Sequence, residues 1–132
     1  MPIETNFGCC RCFGESAEAV YRELPKFTEL ARLVDEWHFI VRIVSCPDCH
    51  QRYVSVFTEW VDHANGEDPQ YRSVLPLTVK ESEQLMSQGE NVDVHLIETL
   101  GAARRYLSTN WPSGKAQTVY WGQGHLLIGP HD

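Results

Sequence analysis

The chain has 132 residues, of which 42% are hydrophobic and 22% charged, so it is long enough to form one domain with a buried core. Its apolar runs are only as long as strands, which argues against a membrane-spanning helix, and the start Met1-Pro2-Ile3-Glu4 lacks the basic and apolar regions of a secretory signal peptide. The formal net charge of −7 argues against a basic, phosphate-binding surface. These features predict a single domain over residues 1–132 and a cytoplasmic location.

The first part of the chain contains a cysteine group and two helical patterns. The group Cys9-Cys10-Arg11-Cys12 includes a C-x-x-C spacing. Residues 14–24 then show apolar side chains at helical intervals, where Ser16 can cap the helix and Pro25 can end it. A second helical pattern runs to Glu36, with an apolar face formed by Phe27, Leu30, Ala31 and Val34. We therefore predict two amphipathic helices, or one kinked helix, after the cysteine group.

A hairpin is predicted around the second cysteine pair. Residues 37–44 and 53–61 are rich in β-branched and aromatic side chains and flank Cys46-Pro47-Asp48-Cys49. The turn from Cys46 to His50 would then form the tip of the hairpin. A zinc ribbon presents its metal-binding turns in this way.

The second half of the chain alternates turn-rich and periodic segments. Residues 71–77 are predicted to form a short strand. Thr78 to Glu81 fit a capping box at the start of a helix, and Gly89 is expected to end that helix. Asn91 is expected to cap a longer helix that packs through Leu96, Ile97, Leu100, Ala103 and Leu107. Residues 118–128 fit a C-terminal hairpin with a glycine turn. The predicted fold class is α+β, with a zinc-ribbon-like hairpin, packed helices and a C-terminal hairpin.

The two C-x-x-C spacings predict a single metal site. Two residues between cysteines allow a tight turn to direct both sulfurs at one ion, and two such turns complete the tetrahedron that structural zinc prefers. The predicted ligands of a structural Zn²⁺ are Cys9, Cys12, Cys46 and Cys49. Two alternatives stay open, because Cys10 or His50 could replace one of these ligands.

The stretch from Cys46 to Tyr53 resembles the cysteine turn and strand of small bacterial zinc-ribbon proteins, many of which have no assigned function. The resemblance covers the two cysteine pairs and the hairpin, about a third of the chain. It implies a metal-stabilised structure and does not imply a particular activity.

The acidic charge balance favours a protein partner. An acidic surface attracts a basic partner through electrostatic steering. The sequence therefore suggests a zinc-binding protein that acts by protein–protein binding, for example an acidic immunity or inhibitor-type protein for a basic nuclease toxin. The predicted partner-binding residues are Glu59, Trp60, Asp62, Glu67, Asp68 and Tyr71.

Two other functions remain as alternatives. A metal-dependent enzyme could use the ionisable groups of residues 62–68, although the sequence contains no complete catalytic set. A nucleic-acid-binding zinc ribbon would need its basic side chains to form one patch. The arginines that would have to converge are Arg22, Arg42, Arg52, Arg104 and Arg105.

Overall fold

A computed structural model describes residues 6–59, 69–111, 116–124, 126 and 128. Within them the strands are β1 (Thr28–Glu36), β2 (Phe39–Ser45), β3 (Arg52–Glu59), β4 (Gln70–Leu77), β5 (Arg105–Trp111) and β6 (Thr118–Gln123). The helices are α1 (Cys10–Phe13), α2 (Ala17–Glu23), α3 (Val79–Gln88) and α4 (Val94–Gly101). Short 3₁₀ turns follow α2 at Leu24–Lys26 and α3 at Gly89–Asn91.

The six strands form one antiparallel sheet in which each strand pairs with the next along the chain. The predicted α+β fold is therefore wrong, because the molecule is mainly a β meander with a few short helices. No helix in the described part of the chain is long and apolar enough to cross a membrane.

Both faces of the sheet are covered. One face packs under α3 and α4, and its core includes Val41, Ile43, Val54, Val56, Leu75, Leu77, Leu85 and Ile97. The opposite face packs under α1 and α2, and its smaller core includes Cys12, Phe13, Val20, Val44, Tyr53, Val74 and Leu107. Because the central strands bury side chains on both faces, their sequences do not alternate cleanly between apolar and polar residues.

Several local predictions are confirmed. The hairpin around the second cysteine pair is β2 paired with β3, and its tip is the cysteine turn. Ser16 caps α2 by accepting a hydrogen bond from the Ala19 N–H. Thr78 and Glu81 form the capping box of α3, which ends before Gly89, and the strand predicted at 71–77 is β4.

The second helix predicted from Phe27 is wrong, because this segment is β1. Register shifts between Glu29 and Ala31 and between Arg32 and Val34 interrupt its pairing with β2. A bulge adds one residue to a strand and changes which face the later side chains occupy. Apolar residues consequently occur at intervals of three and four along β1, a spacing that imitates a helix.

Two C-terminal predictions also need correction. The predicted helix ends at Gly101 and is capped by Asp93 rather than Asn91, while Leu107 lies on β5. A Cβ at Gly101 would lie 2.4 Å from the Leu126 side chain, so glycine allows the chain to pack closely here. The predicted C-terminal hairpin does not form. Strand β6 pairs instead with the preceding strand, β5, and Leu126 and Ile128 lie outside any strand.

Candidate metal centre

The first cysteine turn is built at the start of α1. Cys9 occupies the position before the helix, and its carbonyl accepts hydrogen bonds from the N–H groups of Cys12 and Phe13. The Cys9 N–H donates to the Cys12 sulfur over 3.3 Å. This single helical turn brings the two sulfurs to 3.9 Å from one another.

The second cysteine turn closes the β2–β3 hairpin. The Cys46 N–H donates to the Gln51 carbonyl over 3.0 Å, and the His50 N–H donates to the Cys46 carbonyl over 2.9 Å. His50 has a φ of 64°, in the left-handed region where non-glycine residues are uncommon. The resulting tight reversal directs Cys46 and Cys49 toward the first turn.

The four predicted ligands come together as one group. All four sulfurs lie within 4.8 Å of one another, with Cys9 and Cys46 separated by 3.9 Å and Cys12 and Cys49 by 3.6 Å. A regular tetrahedron with zinc–sulfur bonds of about 2.3 Å has edges of about 3.8 Å. The arrangement is therefore the right size to hold a metal ion in four-sulfur coordination.

The two alternative ligands lie outside this group of four sulfurs. Cys10 is exposed and does not belong to the group, and neither does His50. Cys12 and Cys46 are buried, whereas Cys49 reaches the surface. Cys10 is thus the one cysteine outside the group of four.

A buried tyrosine supports the first cysteine turn. The Tyr53 hydroxyl donates to the Cys12 sulfur over 3.0 Å and lies 3.2 Å from the Cys12 carbonyl. Gly8 packs against this pair, with a φ of 64°, and a Cβ there would lie 2.6 Å from the Cys12 sulfur and 2.8 Å from the Tyr53 oxygen. Hydrogen bonds of this kind orient metal ligands and tune their charge.

Arg11 connects the two turns electrostatically. Its guanidinium contacts Asp48 of the second turn at 2.7 Å and Glu23 of α2 at 3.3 Å. Gln51 makes a further connection, because its side-chain oxygen accepts from the Gly8 N–H and its amide donates to the Leu77 carbonyl. The two cysteine turns are therefore held together by more than the thiols.

The thiols differ in how readily they ionise. Burial raises the pKa of Cys12 and of Cys49. At Cys9 burial acts in the same direction, but the backbone N–H groups of Cys12 and Arg11 outweigh it and lower the pKa. Burial and the nearby Cys12 raise the pKa of Tyr53, so this hydroxyl stays a neutral donor. A divalent cation would supply the positive charge that four adjacent thiolates require.

The supporting residues were not found from the sequence. Gly8 stands directly before the first cysteine and Asp48 inside the second pair, but neither position alone indicates a contact. The sequence indicates only that Tyr53 is an aromatic residue of a strand. Its contact with Cys12 arises because Tyr53 pairs with Val44 beneath α1. Only the three-dimensional meeting of the two turns reveals these contacts.

The other predicted site residues lie away from the cysteines. Glu59 ends β3 and accepts a hydrogen bond from the Gln70 side chain over 2.6 Å, and Tyr71 follows on β4. The remaining proposed partner contacts, Trp60, Asp62, Glu67 and Asp68, fall outside the described residues, as does the candidate enzyme loop 62–68.

Three of the five arginines of the nucleic-acid alternative have partners within the fold. Arg52 donates to Ser82 of α3, and Arg104 forms two hydrogen bonds with Glu81. Arg105 donates to backbone carbonyls and stacks against Phe13 and Trp121. These three guanidinium groups are engaged within the fold, whereas Arg22 and Arg42 line a cavity beside α2.

Searches against protein-family models, curated proteins and solved structures give no match for this chain. The four-cysteine group is consequently the feature on which a function can be argued.

Proposed function

We propose that Cys9, Cys12, Cys46 and Cys49 bind one Zn²⁺ and that this ion is structural. The observation that carries the proposal is the spacing of the sulfurs, which is close to the edge length of a tetrahedral zinc–thiolate site. Four protein ligands leave no position for a reacting water, which separates such a site from a catalytic one.

The ion would fasten the N-terminal segment to the sheet. Cys9 and Cys46 are 37 positions apart in the sequence, and so are Cys12 and Cys49. Without metal, this connection rests on the Arg11 contacts, the Gln51 hydrogen bonds and the small core around Phe13. Zinc would therefore fix α1 and α2 over one face of the meander.

Two cysteine variants test the ligand set. Cys10 lies outside the group of four sulfurs, so Cys10→Ser is the control for Cys49→Ser. Protein purified without added zinc should contain about one equivalent, Cys10→Ser should retain it, and Cys49→Ser should lose most of it. The measurements are elemental analysis and the charge-transfer spectrum of the Co²⁺-substituted protein. Folded wild-type protein that binds neither ion would refute the zinc proposal.

We further propose that the opposite end of the sheet binds a basic protein partner. At this end Trp37 is 64% exposed between β1 and β2 and packs edge-on against His38. Glu36 precedes it, and Glu59 lies beside it because the Glu59 N–H donates to the His38 carbonyl over 2.9 Å. An exposed tryptophan among carboxylates supports recognition of a positively charged surface, with the aromatic ring as the anchor.

The partner proposal is tested with a matched pair of triple variants. Trp37→Ala with Glu36→Gln and Glu59→Gln should lose a basic protein that the wild type binds at low salt. Val79→Ala with Glu83→Gln and Glu15→Gln removes an exposed apolar side chain and two exposed carboxylates elsewhere, and should retain that protein. Binding should weaken as salt rises, because exposed charges are screened beyond about 8 Å at physiological ionic strength. Equal binding by both variants, or recovery of nucleic acid instead, would contradict the proposal.

A further inference from the structure

A cavity of about 240 Å³ lies between α2, the 3₁₀ turn that follows it, and strands β2, β3 and β4. Its sheet wall carries Arg42, Ser55 and Arg72, and the helix side contributes Arg22. Arg42 pairs directly with Ser55, and Arg72 lies one strand further, so these three side chains share one face of the sheet. The cavity is on the same face as the cysteine turns but is built from different residues.

The charge of this cavity is opposite to that of the chain. Three arginines line it, and none of its described lining residues is acidic, although the formal net charge of the chain is −7. Arg22 and Arg42 have carboxylate partners outside the lining, Glu18 at 3.8 Å and Glu29 at 3.3 Å. Glu29 is shared with the exposed Arg32, so Arg42 is only partly neutralised.

Arg72 is the unusual member of the set. Its Nε atom is buried without a hydrogen-bond partner, and no carboxylate among the described residues contacts its guanidinium. Its only ring contact in this part of the chain is with Phe57, 5.8 Å from the guanidinium carbon. Burial, together with the positive charge of Arg42, lowers the pKa of Arg72. Arg72 as a whole is half-buried, and an arginine partly withdrawn from water without a carboxylate partner is less favourable than one that an anion compensates.

The rest of the lining is apolar and aromatic. Phe27 and Tyr21 contribute rings from the helix side, and Val44 and Val74 contribute methyl groups from the sheet. A cavity with a few convergent polar groups in an apolar lining has the usual composition of a small-molecule site. The apolar part would accommodate the body of a ligand, and the arginines its charged group.

We propose that this cavity binds a small organic anion, with a phosphate or carboxylate group between Arg42 and Arg72 and an aromatic or apolar body against Phe27 and Val44. Guanidinium groups suit both oxyanions, since they offer two parallel donors. Ser55 supplies a hydroxyl donor between the two arginines, and Arg22 lies at the helix side of the cavity. The proposal does not depend on which metal the cysteines bind.

Calorimetric titration of the full-length protein tests the proposal with four probes: inorganic phosphate, AMP, benzoate and neutral adenosine. Chloride at matched ionic strength serves as the background. At least one anion should bind at one site with a dissociation constant below about 1 mM, and AMP should bind more tightly than adenosine. Tighter binding of AMP than of benzoate assigns a phosphate ligand, and the reverse assigns a carboxylate.

Arg72→Met should weaken that binding at least tenfold, whereas Arg52→Met should change it less than twofold. Arg52 is the matched control because it lies on the neighbouring strand β3 and points to Ser82 on the other face. Arg72→Met should also melt at a higher temperature than the wild type without ligand, because it removes an unpaired charge that is partly withdrawn from water.

A second readout needs no variant. In the wild-type protein, the Arg72 Nε–H resonance should shift on titration with the anion that binds. The proposal is overturned if no anion binds more tightly than about 1 mM, if adenosine binds as tightly as the tightest anion, or if the Arg72 resonance is unchanged.

Discussion

At the scale of single residues, Gly8 and Tyr53 determine how closely the chain can approach the Cys12 sulfur. Gly8 adopts a positive φ and contacts both the sulfur and the Tyr53 hydroxyl. The candidate metal centre thus has a hydroxyl donor and a position without a side chain next to the Cys12 sulfur. Neither feature is visible in the C-x-x-C spacing itself.

Replacing Gly8 by alanine should damage the metal centre more than the backbone conformation alone explains. Gly89 is the matched control, because its φ of 58° is similar but a Cβ there would meet nothing within 4 Å. Both substitutions place a side chain at positive φ, and the ψ of −132° at Gly89 lies outside the left-handed helical region, so alanine should be at least as strained there as at Gly8. Gly8→Ala should in addition displace the Cys12 sulfur and weaken zinc binding at least tenfold in a chelator competition. Equal zinc affinities of the two variants would show that the close contact is unimportant.

At the scale of elements, the sequence predicted structure best where the signals were local. The capping box of α3, the Ser16 cap of α2 and the cysteine turn each depend on residues within a few positions of one another. The wrong predictions concern segments whose structure depends on contacts between residues that are far apart in the sequence. The bulges of β1 depend on pairing with β2, and the end of α4 depends on Leu126, which packs where a Gly101 side chain would stand.

The grouping of four cysteines without Cys10 was predictable for a similar reason. The two C-x-x-C turns are local features, and the chemistry of zinc requires that they meet. The anion cavity was not predictable, because Arg22, Arg42 and Arg72 come from three separate elements. Their convergence follows from the register of β2, β3 and β4, which only the fold supplies.

The contact between Glu81 and Arg104 should make the free energy of unfolding of the protein depend on pH. The two guanidinium nitrogens of Arg104 lie 2.7 Å from the two carboxylate oxygens, joining the start of α3 to the turn before β5. Burial opposes ionisation, but Arg104 and the Thr78 N–H outweigh it and lower the pKa of Glu81. Because the folded pKa is lowered, this contribution is complete above the ordinary glutamate pKa and is lost as pH falls through the lowered value.

Glu81→Gln should therefore destabilise the protein by about 1 to 3 kcal/mol at pH 7 and by less in acid. The exposed Glu83→Gln, on the same helix, should change stability by less than about 0.5 kcal/mol at either pH. Urea unfolding at pH 7 and near pH 3 measures both. A stability loss for Glu81→Gln that stays constant across this range would rule out the charged contact as its cause.

At the scale of the whole molecule, the two faces of the sheet should respond differently to metal removal. The face under α3 and α4 has an extensive apolar core that contains no cysteine. The face under α1 and α2 has a smaller core that includes Cys12 and Cys46. The four-cysteine group belongs to the second face. Loss of a bound metal should therefore destabilise this face first.

Chelation of the proposed zinc should lower the melting temperature and loosen residues 6–27 while the meander persists. Structural zinc contributes about 10 kcal/mol or more in isolated peptides, but here the core under α3 and α4 supports the sheet independently of the metal. Hydrogen exchange should show lost protection at the N–H groups of α1 and α2 and retained protection at Val41, Val54 and Leu75. Refolding with Zn²⁺ should restore the first set, and Mg²⁺ should not, because thiolates prefer the softer ion. Complete unfolding on chelation would show that the metal supports the whole sheet, and unchanged exchange at α1 and α2 would show that it does not fasten them.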